Sequence, residues 1–225
     1  MTPLLWVLIA VLASSGAMFF GVTAAWNAER LARFRIRPKL SRKVTGAKLW
    51  KRVGLNLVLS GVTVFALTYG AGGWLIDESA ALGWLSIPVA IAILLVYDFF
   101  YYLMHRFAFH GVGWLKKVHA VHHIVRAPTA IESLFLHPLE TFLGQFLLTA
   151  VACAFGPIPP LLWGGILFVH SNLNIIVHAG LDIPAPGLRL LSALSRKHAT
   201  HHVSMRGGNF ASLTPLWDIL FGTAE

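Results

Sequence analysis

The chain has 225 residues, 56% of them hydrophobic and only 12% charged, against roughly 25% charged in an ordinary soluble domain. That balance excludes a soluble globular domain. A net charge of +9 would suit a nucleic-acid binder, but ten of the eighteen Lys and Arg fall within residues 30–52, between two apolar runs, so the charge is that of a connector and implies no nucleic acid.

The first apolar run, residues 3–26, has too few preceding basic residues and too long a core for a cleaved signal peptide, and reads as a retained span. The basic connector follows, with the charge bias of a cytoplasmic loop, and it is placed to touch anionic headgroups. A second span is predicted over 53–76, ending at Asp77-Glu78, and a third over 80–104. A fourth, 134–155, and a fifth, 160–178, are joined by "GPIPP", a Pro/Gly turn suited to a helical hairpin that either crosses the membrane or is shallow and re-entrant. Runs of about twenty apolar residues cross ~30 Å of hydrocarbon as helices. The expectation is an all-α integral membrane protein of four to five transmembrane helices, divided into residues 1–84 and 85–225. With the basic loop cytoplasmic, alternation places all eighteen Lys and Arg and the carboxy terminus on that side, and Asp77-Glu78 outside. The single cysteine, Cys153, lies in an apolar run and reads as a small buried hydrophobe.

All eleven histidines lie in the last 121 residues, and the topology puts nearly all of them at the cytoplasmic mouth of the bundle. His105 and His110 end the third span in "HRFAFH". His119, His122 and His123 follow as H-x-x-H-H, and His198, His201 and His202 repeat that pattern. His170 and His178 close the fifth span, with Asn174 between them. Residues at i, i+3 and i+4 share one helical face, so each triplet is expected to aim three imidazoles at one point. His105 and His110 stand about 140° apart on an ideal helix, so both could be ligands only if the helix ends or distorts there; Gly111 is a plausible stop. Imidazole suits Fe, Zn, Cu or Ni, and so many nitrogens exceed what one ion can use. A histidine-rich site for two ions is therefore expected on the cytoplasmic side. His137, in "LFLHPLE", lies outside the pattern.

The order H-x4-H, H-x-x-H-H and a late H-x-x-H-H in a membrane chain resembles the fatty acid hydroxylase and sterol desaturase superfamily. "YDFFYYLMHRFAFH" at 97–110, "HSN" at 170–172 and "GGNFASLTPLWDILFGT" at 207–223 support the resemblance, with Ala211 standing where that family usually has glycine. It covers roughly residues 85–223, so 85–225 becomes the expected catalytic region. What it implies is a non-haem centre of two iron ions that activates O2 to hydroxylate or desaturate a lipid C–H bond. The ligands it implies are His105, His110, His119, His122, His123, His178, His198, His201 and His202, with His170 as a further candidate. Electrons would come from a separate donor protein, since one cysteine cannot hold a cluster.

Four smaller expectations accompany this set. Asn172 and Asn174 either orient metal-bound water or bond between helices. Asp98 is either a partner to a ligand imidazole or a plain helix-end anion. Trp217 and Asp218 read as structural. Trp84, Phe99, Phe100, Tyr101 and Tyr102 either line a lipid pocket or form an interfacial belt. Two other functions compete: a zinc metallohydrolase, which would need one metal and a general base, and a metal transporter, which would place its ligands along a path at mid-membrane.

Overall fold

A computed structural model describes residues 2–37 and 45–225; Lys39, Arg42 and Lys43 of the basic connector lie outside them. Helix α1 (Pro3–Asn27) opens with the Thr2 side chain accepting from Leu5 N and with proline in its first turn, which removes one of the amides a helix start leaves free and satisfies another. Helix α2 (Gly46–Ala71) begins seven residues before the expected span. Lys48, Lys51 and Arg52 thus ride on its first turns, where long side chains reach toward polar surroundings. Gly72, at φ 49°, ends it. Helix α3 (Ser86–Leu103) starts later than expected, leaving Leu82, Trp84 and Leu85 exposed in the connector.

Helix α4 (Gly113–His119) is short. Helices α5 (Pro138–Ala154) and α6 (Pro160–Val177) form the expected hairpin, and α7 (Arg189–His201) and α8 (Leu216–Leu220) follow. The fold is all helical; among the described residues the strand-like pairings are isolated bridges, Arg35 with Leu181 and Ile76 with Ile158.

Those bridges mark the two ends of the bundle. At one end Asp77 N donates to Ile158 O and Ile158 N to Leu75 O, so the α5–α6 turn reaches as far as the end of α2. The hairpin is therefore not shallow relative to its neighbours. At the other end Ile36 N donates to Gly180 O and Asp182 N to Phe34 O. The described part of the basic connector thus shares an end with His178. The start of α2 lies at the same end, tied by Asn56 Nδ2 to the carbonyls of Leu134 and Leu136.

Among the described residues four helices are long and apolar enough to cross a membrane, α1, α2, α3 and α6, while α5 is shorter. At 17 residues, α5 measures about 26 Å at the helical rise. The core joins both halves of the chain: Leu4, Leu8 and Val11 of α1 pack with Trp163 and Ile166 of α6, Ile93 of α3 and Leu148 of α5. Phe20, Val58, Ile87 and Leu161 are each more than 55% exposed. Such an apolar exterior would be a liability in water and is at home against lipid. This is an integral membrane protein.

Candidate metal centre

Helix α3 does not stop before the first histidines. It widens over Met104–Phe109 into a π-helical turn in which His110 N donates to His105 O at 3.0 Å. The extra residue in that turn cancels the divergence of an i, i+5 pair, and the two imidazole centroids lie 5.0 Å apart. Such bulges recur at functional sites. Gly111 follows because a Cβ there would run into the Phe107 carbonyl.

Nine histidines assemble into two groups, within each of which one nitrogen per ring lies within 4.8 Å of the others. The first holds His105, His110, His119, His123 and His201; the second holds His122, His178, His198 and His202. The expectation that each triplet serves one point is corrected here. In "HAVHH" the i, i+4 pair His119 and His123 joins the first group and His122 the second. In "HATHH" the i, i+4 pair His198 and His202 joins the second group and His201 the first. The reason is local: α4 ends at His119 and His122–Ile124 is a 3₁₀ turn, and in α7 the middle histidine, His201, faces a different neighbour from His198 and His202. The groups touch, His123 and His202 stacking with centroids 4.8 Å apart.

The protonation pattern can be read from the outer nitrogens. His105 Nδ1 donates to Phe210 O at 2.7 Å, His201 Nδ1 to Gly208 O at 2.7 Å and His110 Nδ1 to Met205 O at 2.9 Å. In the second group His178 Nδ1 donates to Asn174 O and His202 Nδ1 to Val125 O. A carbonyl oxygen can only accept, so these rings carry their proton on Nδ1 and present a bare Nε2 inward. His119 Nδ1 meets the Glu140 carboxylate at 2.8 Å, a partner of the kind that fixes the tautomer and orientation of a ligating imidazole.

The inward-facing Nε2 atoms then converge. His105 Nε2 is 2.9 Å from His119 Nε2, His123 Nε2 is 3.0 Å from both His119 and His201, and His198 Nε2 is 2.8 Å from His178 and 3.0 Å from His202. Where both rings carry their proton on Nδ1, as His105 and His119 do, two acceptors at that distance repel unless a cation lies between them. Nitrogens bound to one ion at about 2.1 Å, at right angles, stand about 3.0 Å apart. His110 Nε2 is buried with no protein partner, as an open ligand would be. The donor set thus fits two cations.

Burial lowers the basicity of the rings outside the spans. Desolvation pushes His122, His198, His201 and His202 well below the usual histidine range, with neighbouring imidazoles acting in the same direction, and pushes His110 down to about 4. Rings that stay neutral at physiological pH are the form a metal requires.

One segment orients much of the first group. The carbonyls of Met205, Gly208 and Phe210 hold His110, His201 and His105. Asn209 adopts a left-handed φ of 62°, a conformation asparagine tolerates better than most residues, and a Cβ at Gly208 would strike the Thr223 carbonyl. Asp218, fully buried, accepts from Phe210 N and Ala211 N and pairs with Lys197 at 2.9 Å. Asp98 accepts from the backbone amides of Ser212, Leu213 and Thr214 and from the Thr214 hydroxyl. It touches no ligand imidazole and acts as an anchor for this segment.

His170 stands apart from both groups, its Nε2 bonded to the Tyr97 hydroxyl at 3.0 Å. His137 caps α5, accepting from Leu139 N. Asn172 Nδ2 donates to Phe168 O within its own helix. Of the five aromatics, Tyr101 lines a cavity with the histidines, Phe99 and Tyr102 pack on Phe221, and Trp84 and Phe100 are exposed. Glu140 is the functional side chain the sequence reading passed over. Its signal was available: it is the lone acid of an apolar helix.

A cavity of about 110 Å3 lies against members of both groups, His105 and His119 of the first and His122, His178 and His198 of the second. A second cavity, about 210 Å3 and mostly apolar, runs among α1, α2, α5 and α6. Its walls include Leu12, Phe20 and Leu57, which are exposed on the lipid-facing surface.

The profile of the fatty acid hydroxylase family matches residues 90–223, a stretch that contains every histidine of both groups. The chain belongs to the fatty acid hydroxylase family. Among characterised family relatives, it is 37% identical over 131 residues to methylsterol monooxygenase 1 of Danio rerio, covering 56% of this chain and 43% of that protein. It is 35% identical over 131 residues to methylsterol monooxygenase 1 of Rattus norvegicus, with 56% and 43% covered. With the dihydroceramide fatty acyl 2-hydroxylase of Arabidopsis thaliana it shares 26% over 162 residues, 67% of each chain. The chain thus spans less than half the length of these two methylsterol monooxygenases. No solved structure matches it.

Proposed function

We propose that this protein is a membrane-bound, O2-dependent oxidoreductase that hydroxylates or desaturates a lipid C–H bond at a centre of two non-haem iron ions. The observation that supports it best is the convergence of inward-facing Nε2 atoms in two touching groups, beside a cavity that opens among membrane helices. The relatives carry monooxygenase and hydroxylase names, which favours iron and O2 over a zinc-activated water. Bound iron would supply the means of reducing O2 and abstracting a hydrogen.

The protein's own residues do the rest. His105, His110, His119, His123 and His201 would hold one ion; His122, His178, His198 and His202 would hold the other. The carbonyls of Met205, Gly208 and Phe210 and the Glu140 carboxylate fix ring orientation, so the ligands need no rearrangement on binding. His170 and Tyr97 line the substrate side instead of ligating. The apolar cavity accepts a lipid laterally from the bilayer, and the buried chamber keeps bulk water from the reacting carbon. Electrons come from a separate donor protein. The basic connector and the histidine groups share one end of the bundle, and the positive-inside bias makes that end cytoplasmic.

The test is turnover with labelled oxygen. The purified, iron-loaded protein with an external electron donor, 18O2 and a membrane lipid extract is expected to yield a product carrying one 18O atom, or one lighter by two hydrogens. A product formed equally well without O2, or by the zinc-loaded protein, would overturn the reading.

A further inference from the structure

We propose that the neck between the two cavities reads a hydroxyl group on the substrate, so that the lipid is oxidised at a carbon near that hydroxyl and not along a bare hydrocarbon stretch. The inference rests on the lipid-oxygenase reading above and deepens it.

The two cavities share the walls Ser60 on α2, Ser133 and Leu134 of the turn before α5, Gln145 on α5, and His170 and Asn174 on α6. Side chains from three helices thus make a polar constriction between an apolar chamber and the histidine groups. Several polar side chains elsewhere in the bundle pair with one another. Trp163 Nε1 donates to Thr68 Oγ1, Ser15 and Ser171 hydroxyls meet at 2.8 Å, and Thr141 Oγ1 donates to Asn56 Oδ1. Such pairing is the rule among membrane helices.

The neck gathers side chains that lack such partners. Among the described residues, the side chains of Ser60, Gln145 and Asn174 make no hydrogen bond within the protein, and Gln145 Oε1 is wholly buried. An unpaired amide in an apolar setting is costly, and that cost is removed when a ligand supplies the missing partner. A hydroxyl fits what is offered: it donates to the amide oxygen and accepts from the serine hydroxyl or the asparagine amide. A carboxylate fits poorly, since neither cavity has a lysine or arginine in its wall. With the hydrocarbon body in the larger cavity and the hydroxyl at the neck, only the carbons next to the hydroxyl extend into the chamber beside the histidines.

Native mass spectrometry of the detergent-purified chain, titrated with two matched pairs, tests this without turnover. The pairs are octadecan-1-ol against octadecane and cholesterol against cholestane. For at least one pair the alcohol is expected to half-saturate at about tenfold lower concentration than its hydrocarbon, the discrimination of one hydrogen-bonded group. In Gln145→Leu that ratio falls to about twofold, while hydrocarbon binding and metal content stay as in the wild type. If Gln145→Leu loses its metal, Ser60→Ala is read in its place against the same ratio. Equal binding within both pairs, which is what a neck filled only by water would give, overturns the proposal. So does absence of binding by all four probes, or a ratio unchanged in the variant. Hydroxyl preference without 18O incorporation would leave the neck standing and overturn the oxygenase reading alone.

Discussion

His122 and His123 are adjacent in the chain, yet one is 3.1 Å from His178 Nε2 and the other 3.0 Å from His201 Nε2. They belong to different groups, so replacing either is expected to empty a different site. His122→Ala and His123→Ala should each retain about one of two bound ions and lose turnover, because the remaining ring set still satisfies the other ion. His137→Ala should keep both, its ring being a helix cap. Metal analysis of the three purified variants checks this, and unchanged metal in His122→Ala would remove it from the ligand set. The histidine positions were legible because spacing alone carries them. Their division was not, since it depends on where α4 stops and on which neighbour each face of α7 meets. Glu140 was legible only as a lone acid; its pairing with His119, 21 positions away, exists only once α5 packs on α4. From its place on α3 Asp98 read as either an imidazole partner or a plain helix-end anion; its lone pairs are consumed by the amides of residues 212–214.

At the scale of elements, the π turn at Met104–Phe109 decides whether His105 and His110 cooperate. The sequence shows the problem, an i, i+5 pair on opposing sides of a helix, and offers Gly111 as its solution; the structure distorts the helix ahead of that glycine and uses Gly111 to close the turn. Gly111→Ala would press a methyl group into the Phe107 carbonyl, at about 1–3 kcal/mol for a forced backbone shift. That variant is expected to fold with the metal of the second group intact and to bind the first ion more weakly, read by titration with a chelator. Full affinity at both sites would show that the π turn is not what aligns the pair. The boundaries of α2 and α3 were misjudged for a common reason. Apolar content marks where a helix meets lipid, whereas capping and loop packing mark where it starts and stops. Lys48 and Arg52 therefore extend α2 past its apolar stretch, and Leu82 and Trp84 lie outside α3 despite being apolar.

At the scale of the molecule, the spans and their alternation followed from hydropathy, and the gathering of the histidines at one end followed from the alternation. The lateral cavity did not, because it is made by gaps between α1, α2, α5 and α6 and no single segment encodes it. The sidedness argued from the basic connector predicts that reporters fused after residues 115 and 225 read cytoplasmic and one near Glu78 reads outside; a carboxy-terminal reporter facing outward would reverse the placement of the site. The account as a whole stands on two ions held by two touching groups of imidazoles. The most direct measurement is the metal content of the full-length protein, purified from iron-supplemented cells and quantified against protein by amino-acid analysis. The account predicts about two iron ions per chain, coupled in the Mössbauer spectrum because the groups touch. One ion per chain, or zinc in place of iron with turnover intact, would contradict it.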